Sequence, residues 1–257
     1  MEKKTERIAI LIDGDNAQAK LLKSILEEVA KYGKVTIRRI YGDWTKTNMN
    51  SWKDLLNELS FTPIQKFSYT SGKNSTDSAL IIDAMDILHS GIVDGFCIVS
   101  SDSDYTGLAK RIREGGVFVM GVGEKKTPNA FVQSCEIFTY YENIIQEEIL
   151  EKEITVPKSK AAKQVTAVPS IIEENPKFTK VRLELIDKAY FMASPEDSGM
   201  YVAALGANLR KIDPSFDPRA HGFQNLTKLL DSLKEYEVFR VDNIAFGQSL
   251  VKRKSNF

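Results

Sequence analysis

Along the first 140 residues, short apolar runs rich in β-branched residues alternate with stretches in which apolar side chains recur every three or four positions. The runs RIAILI (Arg7–Ile12), KVTIRRIY (Lys34–Tyr41), FTPIQKF (Phe61–Phe67), GFCIVS (Gly95–Ser100), GVFVMGV (Gly116–Val122) and CEIFTY (Cys135–Tyr140) read as strands. Between them, Leu21, Leu22, Ile25, Leu26 and Val29 fall on one helical stripe. Trp52, Leu55, Leu56 and Leu59 do the same, as do Leu80, Ile81, Met85 and Leu88, and then Tyr105, Leu108 and Ile112. Strand and helix in alternation predict right-handed crossovers and an α/β fold, with a largely parallel sheet covered by helices on both faces.

The pattern breaks in EKEITVPKSKAAKQVTAVPSIIEENP, where charges are scattered, prolines recur and no apolar period is sustained. This tract, residues 151–176, reads as a linker between a first domain at 1–150 and a second at 177–257. In the second, Val181, Leu185, Ile186 and Ala189 mark one helix, Met200–Ile212 a second and Gln224–Lys234 a third. EVFRVDN and AFGQSLVKR then read as a strand pair. Three helices followed by a hairpin predict a small winged helix-turn-helix domain.

Composition changes this picture at one point. The chain has 257 residues, and its 35 basic side chains balance its 35 acidic ones, which excludes a uniformly basic nucleic-acid coat and an acidic disordered tail. The balance is a sum of unlike parts: residues 1–150 hold 18 basic and 21 acidic side chains, and residues 151–257 hold 17 and 14. Cys97 and Cys135 offer no disulfide framework and no four-cysteine zinc site; Cys97 reads as buried strand packing, and Cys135 has no neighbouring His or Cys. The opening MEKKTERIAILID has the pattern of neither a signal peptide nor a membrane span, so a cytoplasmic protein is expected.

In open α/β sheets ligands bind beyond the carboxyl ends of the strands, and here those ends are acidic. Asp13-Gly14-Asp15-Asn16 follows the first strand, Gly42-Asp43 the second, and Ser100-Ser101-Asp102-Ser103-Asp104 the fourth, while Asp77 falls in the first turn of the third major helix. Several carboxylates in one cleft raise one another's pKa and lose solvent. A hard divalent cation removes the conflict, because Mg²⁺ takes oxygen ligands at about 2.0–2.1 Å and shares them with substrate phosphates. Such a rim suits phosphodiester hydrolysis, in which a bound ion activates water and stabilises phosphoryl charge. A single aspartate after a strand is commonly only a cap or turn residue. Asp13, Asp77 and Asp102 converge from three separate segments, whereas Asp15, Asp43 and Asp104 stay open to that simpler reading. Asp83, among Ile81, Ile82 and Met85, is either a semi-buried helper of the site or a polar-face residue.

The same acids admit a haloacid-dehalogenase-like phosphatase, with Asp13-x-Asp15 as nucleophile and acid–base pair. That arrangement leaves Asp77 unexplained and expects a Thr or Ser where this chain has Gly42-Asp43-Trp44.

The ordered set ILIDGDN, YGDW, GKNSTDSALIIDAMD, IVSSDSDY and GVFVMGVG, over residues of about 6–145, resembles an NYN domain of the bacterial LabA-like group, related to PIN-domain nucleases. The resemblance implies a PIN-like fold and a Mg²⁺- or Mn²⁺-dependent ribonuclease. It implies that Asp13, Asp77 and Asp102 are the core metal-site acids, Asp104 an additional one and Asn16 a polar residue oriented toward the site. Asp15 and Asp43 match acids of this subgroup, and Lys73 and Ser101 become phosphate contacts. In the second domain, LGANLRKIDPSFDPRAHGFQNLTKLLDSL resembles the OST-HTH or LOTUS module, which implies binding of RNA and, in some members, of protein partners. Arg210, Lys211, Arg219, His221 and Lys228 are then candidate phosphate contacts, with Lys252, Arg253 and Lys254 a basic end on the wing. Trp44 is a candidate base-stacking residue. A regulator that binds RNA or protein without cleaving it is the alternative reading of both modules together.

Overall fold

The computed structural model describes residues 7–67, 75–147, 179–193, 199–240 and 249–254. Lys73 and the linker read at 151–176 lie outside them. The chain divides into two compact units, Met1–Ile144 with Asp213–Ser215, and Ile145–Ile212 with Phe216–Phe257.

The first unit is built on six strands, β1 (Arg7–Asp13), β2 (Lys34–Gly42), β3 (Thr62–Gln65), β4 (Gly95–Val99), β5 (Phe118–Gly123) and β6 (Ile137–Tyr140). They pair in the order β3-β2-β1-β4-β5-β6, and every ladder is parallel. Five helices connect them: α1 (Leu22–Ala30), α2 (Lys53–Glu58), α3 (Ser75–Ser90), α4 (Thr106–Glu114) and α5 (Asn129–Ser134). A sheet covered on both faces needs strands that are apolar throughout rather than alternating. β1 satisfies this, since Ile8 to Ile12 are all 0% exposed. Ala9 and Leu11 pack with Leu80 and Ala84 of α3 and Leu108 and Ile112 of α4. Alternation along the strand sends Ile8, Ile10 and Ile12 to the opposite face. On α1 the stripe of Leu22, Ile25 and Val29 is fully buried, as its spacing predicts.

Three elements differ from the sequence expectation. The third strand is only Thr62–Gln65, because its Phe61 side chain is buried before the ladder begins and Phe67 is exposed beyond it. The segment before β6 contains a one-and-a-half-turn helix, α5, whose Phe131 and Val132 join the core. Cys135 therefore caps that helix instead of opening the strand.

The second unit has helices at Leu183–Phe191, Val202–Ile212 and Leu226–Asp231 and strands β7 (Met200–Tyr201), β8 (Tyr236–Arg240) and β9 (Ser249–Arg253). The strands pair antiparallel in the order β7-β9-β8, so the wing has three strands, not two. Met200 and Tyr201 thus belong to the sheet and not to the second helix, which begins at Val202. Ile186, Leu205, Leu209, Leu229, Leu230 and Val251 form a core separate from that of the first unit. Asp187 ties helix to wing: it accepts from Tyr236 Oη at 2.6 Å and from Arg253 Nε and Nη2 at 2.8 and 2.9 Å. That ion pair holds the Asp187 carboxyl below its ordinary pKa.

Gly121 on β5 shows how tightly the first core is filled. A Cβ there would overlap the Phe138 ring of β6 and lie 3.0 Å from Cys135 Sγ. Phe138 cannot retreat, since it is 2% exposed and packs edge-on against Phe131 at 5.6 Å between centroids. Gly121→Ala is therefore expected to cost about 1–3 kcal/mol through overpacking, read as a lowered urea midpoint with unchanged slope. A midpoint at or above that of the wild type would contradict this account of the core.

Candidate functional site

The strand order runs outward in both directions from β1 and β4, which pair directly. Neighbouring strands whose connections leave in opposite directions open a crevice at their carboxyl ends, the usual ligand position in this architecture. Asp13 is the last residue of β1, and Ser100 to Asp104 follow β4 directly. Asp77 enters from the first turn of α3.

Asp77, Asp102 and Asp104 come together, and a carboxylate oxygen from each lies within 4.8 Å of the others. Each is held by its own segment. Asp77 Oδ1 accepts from the Tyr105 hydroxyl at 2.7 Å. Asp102 caps the short 3₁₀ turn Ser103–Tyr105, its Oδ1 accepting from the Asp104 amide at 3.0 Å. Tyr105, fully buried, anchors that turn between α3 and α4.

Asp13 lies behind this group instead of in it. It is 0% exposed and accepts three hydrogen bonds, from Asn16 Nδ2 at 2.7 Å, Ser100 Oγ at 3.1 Å and the Asp15 amide at 3.2 Å. The Ser100 hydroxyl in turn accepts from the Asp102 amide at 3.1 Å. One serine therefore couples the end of β1 to the acidic turn after β4. The exposed Asp15 accepts from Thr76 Oγ1 at 3.1 Å and from Asn48 Nδ2 at 3.5 Å, joining the β1 loop to the start of α3. Ser101 Oγ accepts from the Glu124 amide at 2.9 Å, which fixes the turn against the end of β5. Gly123 permits this approach, because a Cβ there would lie 2.6 Å from the Ser100 carbonyl and 3.0 Å from Ser101 Oγ.

Other expected residues fall elsewhere. Asp43 is 6% exposed and organises its own loop, accepting from Thr45 Oγ1 at 2.6 Å and Gln65 Nε2 at 3.0 Å. Asp83, partly buried, pairs with Arg39 and Tyr41 of β2 and does not join the acidic cluster. Trp44 donates its indole N–H to the Ile64 carbonyl at 3.1 Å, at the β3 edge. In the second unit, Arg210, Lys211 and Lys228 are exposed, with Lys228 Nζ donating to Gln224 at 2.6 Å. Arg219 requires a correction. It is only 8% exposed, and its guanidinium is engaged by Asp217 at 2.7–3.0 Å, so it holds its loop and does not present itself to phosphate. Arg253 is likewise committed, to Asp187, and His221 Nδ1 contacts the Thr179 carbonyl at 2.7 Å. Sequence reading missed Ser100, Tyr105 and Thr76. A hydroxyl one residue before Asp77 and another two before Asp102 were usable signals for Thr76 and Ser100, whereas Tyr105 looked like a core residue and is one.

The crevice carries carboxylates where a dinucleotide-binding sheet of the same strand order carries a glycine-rich phosphate loop, and this defines a doubly wound α/β domain of the PIN-like nuclease type. The chain belongs to the NYN domain family, whose model matches residues 7–144, and it continues into an OST-HTH/LOTUS domain matched over residues 167–248. No curated protein matches it. Among solved structures it is similar to a protein of unknown function from Vibrio parahaemolyticus, at 19% identity over 55% of this chain and 96% of that one, with a TM-score of 0.46. An oxidoreductase from Thermotoga maritima aligns at 15% identity over 58% of this chain and 44% of its own, with a TM-score of 0.30. No helix among the described residues is long and apolar enough to cross a membrane.

Electrostatics follow from this crowding. Burial raises the Asp13 pKa above its ordinary 3.8, and the Asp77 charge adds to the rise against three opposing hydrogen bonds. Burial also raises Asp77, and the charges of Asp102, Asp104 and Asp15 push the same way while Tyr105 opposes them. The fold thus holds the protonated forms more readily than the unfolded chain does. The stability these two acids confer is complete below 3.8 and is lost as pH rises through their raised values. Asp77→Asn keeps an acceptor for Tyr105 and removes the charge. In chelator at pH 8 it is expected to melt about 2–4 °C above the wild type, the gap closing as pH falls toward about 4. Calorimetry across pH checks this, and an equal or lower melting temperature at pH 8 would contradict it.

Proposed function

We propose that this protein is a metal-dependent ribonuclease whose first domain hydrolyses RNA phosphodiesters and whose OST-HTH domain holds the RNA. The observation that carries the reading is the meeting of Asp77, Asp102 and Asp104 within 4.8 Å, at the strand-end crevice of an NYN domain. Their donor set is entirely hard oxygen, which fits Mg²⁺ or Mn²⁺ and not a soft or imidazole-seeking metal. Burial, together with the neighbouring charges of Asp102, Asp104 and Asp15, raises the Asp77 pKa, and a dication relieves that cost of holding the charged form. When bound, the ion supplies Lewis-acid stabilisation of phosphoryl charge and lowers the pKa of a water.

The protein's own residues set the geometry. Asp77, Asp102 and Asp104 hold the ion. Asp13 acts behind them, orienting Asn16 directly and the Asp102 turn through Ser100. Asp15, facing solvent and tied to Thr76, completes the outer rim. Asn16 and Ser101 contact a substrate phosphate in this reading. In the second domain the exposed Arg210, Lys211 and Lys228 remain phosphate contacts, and Arg219 does not. The phosphatase alternative still gives Asp77 no task, although Asp77 lies in the acidic cluster itself.

Asp102→Asn removes a ligand while leaving the turn's capping acceptor in place. Cleavage of a labelled single-stranded RNA with Mn²⁺ is expected to fall about 10²–10³-fold, the range lost when a central electrostatic group is removed, with RNA affinity within about twofold of wild type. Chelation should abolish wild-type cleavage. Undiminished cleavage by the variant would overturn the site, and RNA binding without cleavage at any metal concentration would favour a non-catalytic regulator.

A further inference from the structure

The wing of the second unit carries a feature that its basic residues do not explain. In an antiparallel ladder directly opposed residues share a face, and alternate residues along a strand return to it. Met200, Val251 and Val238 oppose one another and pack into the core. The next row, Tyr201, Leu250 and Phe239, therefore lies on the other face, in register across all three strands. There Tyr201 is 42% and Phe239 39% exposed, with Leu250 half-buried between them. Lys252, exposed and two residues beyond Leu250, shares this face, as does its cross-strand neighbour Glu237.

From this row we infer a base-stacking platform: Tyr201 and Phe239 each receive one base of a single-stranded RNA crossing the wing, and Lys252 meets its backbone. The inference rests on the reading of this domain as the part that holds RNA, and it names the surface. The two rings are two strand spacings apart, about 10 Å, a span suited to splayed successive bases and not to a stacked duplex. Aromatic faces accept any base, and a neighbouring cation tracks the phosphates. A protein partner fits poorly. At these exposures, side chains offering about 150–250 Å² each present about 200 Å² in all, far below the roughly 800 Å² that each side of a stable interface buries.

The test uses the full chain in chelator, so that RNA is not cut, with a fluorescein-labelled unstructured 12-nucleotide RNA followed by anisotropy at several salt concentrations. Tyr201→Ala and Phe239→Ala are each expected to weaken binding about tenfold without changing the slope of affinity against salt, because no phosphate contact is lost. Lys252→Ala is expected to reduce that slope. Phe239→Trp should bind as the wild type does, and RNA should quench the added tryptophan's emission once the wild-type signal of Trp44 and Trp52 is subtracted. Alanine variants that bind within twofold of a wild type that itself binds RNA would overturn the platform while leaving the domain's RNA role standing. Loss of binding by Phe239→Ala together with unquenched Phe239→Trp on bound RNA would overturn it as well, by making the loss structural. A wild type that binds no RNA would remove the underlying reading and the platform with it. Alanine variants that change the mass by light scattering, with RNA affinity unchanged, would assign the row to self-association and overturn the proposal.

Discussion

Asp77, Asp102 and Asp104 bring like charges to within 4.8 Å of one another, with a fourth carboxylate, Asp13, buried behind them. Left to themselves these groups would separate or take up protons. Neutral donors on rigid elements oppose separation: Tyr105, on the turn that enters α4, holds Asp77, the Asp104 amide holds Asp102, and Ser100 at the end of β4 and Asn16 in the β1 loop hold Asp13. Among the described residues, no Lys or Arg forms a salt bridge with Asp77 or Asp102. A purely structural role for Asp77 and Asp102 would ask for neutralising Lys or Arg partners, as Asp83 finds in Arg39 and Asp187 in Arg253. Stability is therefore lower than the same fold could reach, a common cost of a preorganised site.

The sheet makes this arrangement possible at little conformational expense. Because β1 and β4 are adjacent and parallel, Asp13 and the Ser100–Asp104 turn emerge side by side without any long loop. Gly123 lets β5 close against the same turn, and the buried Tyr105 lets the core itself hold the outer acid Asp77. The geometry of the acidic cluster and the packing of the core are in this sense one network, so a change one layer below the crevice would be felt at the carboxylates.

Much of this was legible in the sequence because long apolar runs and strong helical stripes report burial directly. β1, α1 and α4 fall where their patterns put them. Short elements were not legible. Two residues, Met200 and Tyr201, cannot show a strand period, and six residues from Asn129 to Ser134 barely show a helical one. At the site, the acids that follow strands could be listed, yet sequence position could not separate Asp104, which joins Asp77 and Asp102, from Asp13, which stands behind them. Arg219 shows the same limit: a basic residue in a polar loop looks available until the fold sets Asp217 beside it. Tyr201 and Phe239 look like ordinary strand residues, and only the register reveals that both face outward.

The central claim is that the cluster is a cation site, and anomalous diffraction from crystals grown with Mn²⁺ tests it most directly. The account predicts a manganese peak bounded by carboxylate oxygens of Asp77, Asp102 and Asp104, with Asp13 retaining its hydrogen bonds to Asn16 and Ser100. A well-ordered crevice without a peak at saturating Mn²⁺, or manganese bound only elsewhere, would contradict it.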